Sequence, residues 1–377
     1  MLFFIQSCID PVEPEFDFIE DLIFIEGFAT SAEKGSYVSV QKSKLEYGIY
    51  KIFPVKGCDV SFVNSITNQA FSLVEIDNFY LPAKDFTINP DEIWELKVIL
   101  PSGEVYKSTP EKAPQPVPVR SLKANYKKEL QTIRNTSNKD VIVSGHKITV
   151  SFDDPNNKEN YYLHRYRTFE KEQICKTCIG GVLRYGECVI PENLPRYFRF
   201  TYFTYGCDKV CWNMDYNNSI SIFSDEFTNG LAVDSYEIGK VPLYSSNPFY
   251  IEVQQFSITP AAHKYYKTLK DITDNTSSLN SPLPAALVGN LYNSNDKDQF
   301  VLGRFTVAGE SNTNLFVERI KYGEDVSYNL SGFGYRSPYP ETYGMPLPAP
   351  LTYFAPCTDT RYRTSIQPQG WINNIGN

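Results

Sequence analysis

Cysteine is the residue type whose spacing in this sequence most directly implies chemistry. Cys58 stands alone in the first third of the chain, and Cys8 lies close to its start. Exported proteins use cysteines mainly for disulfides, whereas intracellular proteins use them for metal binding or catalysis. If the chain is exported, the remaining cysteines form disulfides whose pairing the sequence does not resolve. These disulfide candidates are Cys175, Cys178, Cys188, Cys207, Cys211 and Cys357.

A zinc site is the alternative use of four of these thiols. Two residues separate Cys175 from Cys178, and three separate Cys207 from Cys211. The second spacing differs from that of a zinc ribbon, and the loop between the pairs is longer than the usual ~15–20 residues. A redox Cys-x-x-Cys motif is disfavoured because no βαβ pattern surrounds the first pair. We therefore expect disulfides, with no metal ion and no cofactor.

Cys8 lies at an abrupt change in composition. Residues 2–5 are apolar, whereas residues 9–20 are acidic and contain Pro11 and Pro14. This change predicts the end of a signal peptide and a lipid-modified cysteine, followed by a tether that neither packs nor spans a bilayer. No Lys or Arg precedes Cys8, so the alternative is an apolar strand with a buried thiol. We favour lipidation of Cys8, which would place the protein on a membrane outside the cytoplasm.

The other residue types that could support chemistry form no familiar motif. His146, His164 and His263 are widely separated, and neither a His-Glu-x-x-His, a Gly-x-Ser-x-Gly nor a Walker sequence occurs. Residues 153–157 and 293–298 are rich in oxygen ligands but lack the glycine and glutamate of an EF-hand loop, which favours turns over calcium sites. The carboxylate pair of a glycosidase is set by spatial separation and has no local signature. We expect a protein that is not an enzyme.

Bulk composition indicates an acidic, strand-rich protein. The net charge of −8 argues against a nucleic-acid partner, because such proteins carry a basic face. Aromatic residues make up 15% of the chain, mostly as 27 Tyr and 25 Phe, and these residues favour strands. No run approaches the ~18–20 apolar residues of a transmembrane helix.

Short apolar runs bounded by Gly, Pro, Asn or Ser recur along the first third of the chain. Each has the length of a β-strand, and a turn at residues 101–104 sends the chain back as a hairpin. This spacing predicts an immunoglobulin-like β-sandwich over residues 21–108, preceded by a signal-peptide remnant (1–8) and an acidic tether (9–20). The runs cover residues 22–28, 36–40, 59–63, 70–74 and 93–100.

A larger β-rich domain is predicted beyond the sandwich. Residues 109–118 contain four prolines, which favour an extended linker. Strands at residues 141–152 and 161–167 then flank a turn at residues 153–157. The sequence thus predicts a mainly β protein whose C-terminal domain, residues 119–377, carries the cysteine cluster and one or two helices.

One helix has clear start signals. Thr259 is suited to cap it, and Pro260 is suited to its first position. Four apolar or aromatic residues then follow at helical spacing, which predicts one face packed on a sheet. These residues are Ala262, Tyr265, Leu269 and Ile272.

A segment rich in Pro and Tyr lies near the end of the chain, at residues 338–350. Its prolines exclude it from an inner strand and stiffen it in an extended form. Aromatic residues and Met are enriched at interface cores, so the segment is a candidate contact site for a partner. The alternative is that it wraps its own domain and buries these rings. The candidate contact residues are Tyr339, Tyr343 and Met345.

Several local strings carry a resemblance to a known family. They are residues 23–27 after the tether, Cys211-Trp212 before residues 220–222, residues 289–293 leading to 301–305, and residues 357–361 before Trp371. In this order the strings resemble those of the Bacteroidota family called domain of unknown function 4249, over nearly the whole mature chain. The chain departs from the family pattern by lacking a second cysteine near Cys357 and by the residues that follow Trp371.

The resemblance implies an outer-membrane lipoprotein encoded beside TonB-dependent transporters of the SusC type. The acidic residues after Cys8 also resemble the signals that send such lipoproteins to the cell surface. We therefore expect a lipid-anchored, surface-facing accessory or ligand-capturing subunit whose partner is a SusC-like β-barrel. The alternative is a structural subunit of an outer-membrane assembly or secretion complex, or an adhesin-like surface protein. The resemblance supplies no catalytic residue.

Overall fold

The computed structural model of the protein describes residues 22–46, 49–134, 138–156, 158–179, 182–184, 187–189, 203–217, 219–275, 287, 289–296, 299–326, 357 and 362–372. Cys8, the tether at residues 9–20 and the contact candidates Tyr339, Tyr343 and Met345 lie outside these ranges, so what the sequence predicts for them stays a prediction.

Strands dominate the described part of the chain, which confirms the predicted mainly β class. A single α-helix, α1 (Pro260–Asn275), and a 3-10 helix (Ile320–Asp325) accompany them in these ranges. No described helix has the length and apolar character needed to cross a bilayer. The strands are β1 (Ile23–Thr30), β2 (Tyr37–Glu46), β3 (Ile49–Pro54), β4 (Asp59–Asn64), β5 (Ala70–Ser72), β6 (Val74–Ile76), β7 (Phe79–Leu81), β8 (Ile93–Ile99), β9 (Val105–Ser108), β10 (Glu111–Lys112), β11 (Val119–Arg134), β12 (Asp140–Asp153), β13 (Tyr161–Ile179), β14 (Val182–Arg184), β15 (Glu187–Val189), β16 (Phe203–Tyr216), β17 (Ser221–Ser224), β18 (Ala232–Pro242), β19 (Phe249–Ile258), β20 (Leu291–Asn293), β21 (Val301–Val317) and β22 (Arg363–Thr364).

The largest sheet of the described ranges has 11 strands and includes both the first and the last described strand, β1 and β22. Its order is β22-β16-β13-β19-β21-β1-β2-β7-β6, with β17 paired to β13 and β3 paired to β2. The N-terminal strand β1 runs parallel to β21, from the pair Ile23 and Val301 to the pair Thr30 and Ala308. Most residues of β1 are buried. This pattern is expected for an inner strand that is covered on both faces.

A six-stranded sheet packs against the N-terminal part of the large sheet. Its order is β20-β9-β8-β4-β5, with β10 paired to β8. Buried and half-buried residues alternate along β8, so one face of this sheet points into the core. Phe62, Leu96 and Tyr106 from this sheet share one apolar cluster with Ile25 and Phe305 from the large sheet. The two sheets therefore form a sandwich, and its immunoglobulin-like topology stays a prediction.

Residues far along the chain complete this sandwich. Strand β20 and the first half of β21 contribute to it, although the sequence indicates a sandwich built from residues 21–108. Within the expected linker, Glu111 and Lys112 pair with β8. Gly303 of β21 has φ +102°, and a Cβ there would collide with the carbonyl oxygen of Ile25, so only glycine fits this close parallel pairing.

A three-stranded sheet covers the C-terminal part of the large sheet. Its order is β11-β12-β18, and strands β12 and β13, which match the two strands predicted around residues 153–157, lie in different sheets. Ile148, Val150 and Phe152 of β12 pack against Tyr162 of β13 and Ile251 of β19 in a second apolar cluster. The outer strand β11 is an edge strand, and most of its residues are half-buried or exposed.

Helix α1 begins where the sequence predicts. The backbone N–H of Ala262 donates to Oγ1 of Thr259 at 3.2 Å, which is the geometry of an N-cap. Ala262, Tyr265 and Tyr266 pack on Phe28 and Phe256 of the large sheet. The helix therefore covers the point where N-terminal and C-terminal strands meet.

Candidate functional site

An open groove of about 620 Å³ lies beside the edge of the three-stranded sheet. Its walls come from three strands and from the 3-10 helix, and they combine aromatic, amide, hydroxyl and ammonium groups. Ligand sites are usually concave and mostly apolar with a few polar groups, and this groove differs in being open and mainly polar. The residues that line the groove are Ala124, Asn125, Tyr126, Lys127, Lys147, Thr149, Ser235 and Tyr322.

Two stacked tyrosines form the aromatic wall of the groove. The rings of Tyr126 on β11 and Tyr322 on the 3-10 helix are nearly parallel, at 9°, with centroids 3.8 Å apart. The hydroxyl of Tyr126 donates to Oδ2 of Asp325 at 2.5 Å. The hydroxyl of Ser144 on β12 donates to the backbone oxygen of Asp325 at 2.6 Å. These contacts fasten the 3-10 helix to both strands.

His146 supports the tyrosine pair from beneath. The side chain is 1% exposed, and its ring meets those of Tyr126 and Tyr322 edge-on at 5.8 and 5.7 Å. Burial, together with the positive charges of Arg319 and Lys321, lowers the pKa of His146 to about 4. The imidazole is therefore neutral near pH 7 and belongs to an aromatic floor.

A buried ion pair holds the start of the 3-10 helix. Arg319 is fully buried, and its Nη2 lies 2.6 Å from Oε1 of Glu170 on β13. Its Nε donates to the backbone oxygen of Asn247 at 2.5 Å, and the guanidinium lies 4.9 Å from the ring centroid of Phe249. A buried charge is tolerated when it is paired and hydrogen-bonded. The contacts of Arg319 thus fix the start of the 3-10 helix that carries Tyr322.

Polar side chains that alternate with Tyr126 and His146 along β11 and β12 also line the groove. The side-chain amide of Asn125 donates to Oγ1 of Thr149 at 3.4 Å. Nζ of Lys147 lies 2.6 Å from Oε2 of Glu237, which positions its ammonium group at the wall. The amide and the hydroxyl can donate and accept hydrogen bonds, and the ammonium group can donate them. The arrangement can therefore bind a polar ligand that also has an apolar face.

The cysteine cluster is only partly described. Cys211 on β16 and Cys357 form a disulfide, with Cα atoms 5.7 Å apart and a sequence separation of 146. Cys175 and Cys178 lie in β13, Cys188 in β15 and Cys207 in β16, and their side chains lie outside the described part of the structure. The pairing of these four stays a prediction. Cys58 is a half-buried free thiol.

The three histidines do not come together as a metal set. His146 lies under the groove, and His164 is buried with its Nε2 3.0 Å from Oε1 of Gln255. His263 packs on Tyr161, with ring centroids 4.8 Å apart. Within the described ranges, no group of three or more His, Cys, Asp or Glu side chains is arranged to hold a metal ion.

Sequence reasoning did not identify the groove. Tyr126 and its hydrogen-bond partner Asp325 are 199 residues apart, and neither lies in a recognisable motif. The one local signal is that an edge strand rich in lysine carries a tyrosine among polar residues at Tyr126. Such a signal is too common to mark a site.

Comparison with known proteins assigns the chain to a family. The model of the family described as Domain of unknown function (DUF4249) matches residues 9–314, which is most of the chain. This match confirms the resemblance to the family, and the strings at residues 357–361 and Trp371 lie beyond the matched residues. No curated protein and no solved structure matches the chain. The protein therefore belongs to the DUF4249 family.

Proposed function

We propose that the protein is a lipid-anchored accessory subunit of an outer-membrane TonB-dependent transporter of the SusC type, and that it captures a ligand at the cell surface. The observation that carries ligand capture is the open groove whose lining includes Tyr126, Tyr322, Asn125 and Lys147. The transporter partner and the anchor are proposed from the family resemblance and from the sequence around Cys8. The protein binds and presents its ligand and performs no reaction of its own.

The construction of the groove supports a binding role. The tyrosine pair, the Asp325 contacts and the buried Arg319 are held by contacts within the protein itself. Binding to a preformed site avoids the entropy cost of ordering side chains, which is about 0.5–1.5 kcal/mol for each immobilised flexible side chain. The expected ligand has a flat apolar face for the aromatic wall and hydroxyl or carboxylate groups for the polar side chains.

The sequence around Cys8 supports the location. The change from apolar to acidic residues is that of a lipoprotein signal followed by a tether. A tether of this kind lets a folded domain stand at the membrane surface while it reaches a partner. A structural role in an outer-membrane assembly is the competing proposal.

Affinity purification from the native host separates these roles. The tagged full-length protein is extracted in mild detergent, and co-purifying proteins are quantified by mass spectrometry. The proposal predicts a TonB-dependent β-barrel at comparable stoichiometry. An assembly or secretion complex in its place would favour the competing role, and recovery of the chain alone would leave the accessory role without support.

A further inference from the structure

An apolar edge of the large sheet lies beside the point where the tether enters the fold. We define this apolar edge by five exposed side chains on two strands that flank β2 and β7. On β3, Ile49, Ile52 and Phe53 are 64%, 55% and 41% exposed. On β6, Val74 and Ile76 are 66% and 50% exposed. The register places Ile52, Val74 and Ile76 on one face of the sheet and Ile49 and Phe53 on the other, so the border exposes apolar side chains on both sides of its edge.

The two strands of the apolar edge are connected to each other. The hydroxyl of Tyr80 on β7 donates to the backbone oxygen of Val55, just after β3, at 2.8 Å. The backbone N–H of Gly57 donates to Oε2 of Glu75, in the middle of β6, at 2.7 Å. The apolar edge is therefore one continuous border of the sheet.

The entry point of the tether is fixed close to this border. The backbone N–H of Leu22 donates to Oγ of Ser43 at 2.9 Å, and Ser43 is the register partner of Ile52. With strands spaced about 4.8 Å apart, Leu22 lies about 10 Å from the backbone of β3. The chain between Cys8 and Leu22 spans at most about 50 Å when fully extended.

We infer that the apolar edge docks on the bilayer surface, with the side chains of β3 and β6 inserted at the level of the lipid headgroups. The inference rests on the lipid anchor of the proposed function, because that anchor holds this end of the sandwich near the membrane. Aliphatic and aromatic side chains flanked by lysine are suited to the headgroup region.

The charged residues around the apolar edge include both lysines, which attract anionic headgroups, and glutamates, which repel them. Lys42, Lys44 and Lys51 belong to the β2–β3 hairpin, and Glu46 lies 3.7 Å from Lys44 and 3.1 Å from Lys51. The hairpin thus carries a small positive excess toward anionic headgroups, while Glu75 on β6 opposes it. Apolar insertion therefore contributes most of the binding free energy. Binding to the bilayer should depend only weakly on salt concentration.

Vesicle binding by the unlipidated full-length chain tests the inference independently of the anchor. Cys8→Ala protein is mixed with vesicles of phosphatidylethanolamine and phosphatidylglycerol at a 3:1 ratio (about the balance of a bacterial membrane), and the bound fraction is measured by sedimentation. Adding Ile49→Ser, Ile52→Ser and Phe53→Ser should weaken partitioning about tenfold or more. Adding Phe227→Ser is the matched control, since Phe227 is 89% exposed and lies outside the apolar edge.

A second readout reports depth directly. Phe53→Trp should show a blue shift with vesicles and quenching by brominated lipid, whereas Phe227→Trp should show neither. Equal binding of the triple variant and its parent, or no binding by the parent, would overturn the inference. So would a dimer in sedimentation that the triple variant abolishes, or loss of a co-purifying protein with unchanged vesicle binding, because either outcome assigns the apolar edge to a protein.

Different experiments test the lipid anchor and the docking surface. If Cys8→Ala remains in the outer membrane of the native host as firmly as the parent, the lipid anchor of the proposed function is wrong. The vesicle experiment lacks that anchor in every sample. Its outcome therefore decides the docking surface alone.

Discussion

The carboxylate of Glu170 and the guanidinium of Arg319 form a buried ion pair 2.6 Å long, at the residue from which the 3-10 helix of the groove begins. The pair links β13 in the large sheet to the helix that carries Tyr322. The shape of the groove thus depends on a contact inside the core, remote from any ligand.

Replacing one partner of this pair should destabilise the protein strongly. Arg319→Met leaves the buried Glu170 carboxylate without a cation, which typically costs about 3–5 kcal/mol. The control is Arg134→Met, whose ion pair with Asp140 is exposed and should contribute less than about 1 kcal/mol. Chemical unfolding measures both free energies, and equal losses for the two variants would contradict the role assigned to Arg319.

The buried histidines predict a pH dependence of stability with a definite sign. His146 and His164 each have a pKa lowered by burial to about 4, whereas the pKa of an unfolded histidine is near its ordinary value of 6.5. Between these values the unfolded chain binds more protons, so stability is complete above about pH 6.5 and falls toward pH 4. A single such shift corresponds to about 3 kcal/mol of stability that is present above pH 6.5 and is lost as the pH falls through about 4.

His146→Leu tests how much of the pH dependence of stability comes from His146, the histidine beneath the groove. The variant should lose less stability than the parent between pH 7 and pH 4.5, because one of the two depressed titrations is removed. Thermal melts across this range measure the effect, and an NMR titration of the imidazoles checks the pKa values. A His146 pKa near 6.5 in the folded protein would contradict its burial under the tyrosine pair.

The disulfide between Cys211 and Cys357 should hold the C-terminal segment on β16. Removing a native disulfide typically costs about 2–5 kcal/mol, so Cys211→Ser with Cys357→Ser should lower the melting temperature. Peptide mapping under non-reducing conditions must recover the linked pair from the parent, and two free thiols at these positions would refute the pairing.

Local signals explain what the sequence predicted well. Helix α1 begins with Thr259 and Pro260 because capping and the first-turn geometry depend on adjacent residues. Alternating burial along β8 likewise follows a period that is visible in the chain. The mainly β class and the family could both be inferred from such patterns.

Contacts between distant residues explain what the sequence did not provide. The parallel pairing of β1 with β21 joins Ile25 to Gly303, and neither residue alone indicates the other. The groove depends on the stacking of Tyr126 on Tyr322, which becomes a feature only after three elements have packed. One of several cysteine pairings, Cys211 with Cys357, is likewise set by tertiary structure.

The most direct test of the central claim has two readouts. One is the amount of TonB-dependent β-barrel that co-purifies with the tagged protein, and the other is ligand uptake when a tryptophan side chain fills the groove. Asn125 and Glu129 are exposed residues of the same strand, and only Asn125 lines the groove. We predict comparable stoichiometry for the parent, retention of the barrel by both Asn125→Trp and Glu129→Trp, and loss of transporter-dependent ligand uptake in Asn125→Trp cells alone. A parent protein recovered without any barrel, or equal uptake in the two variants, would contradict the account.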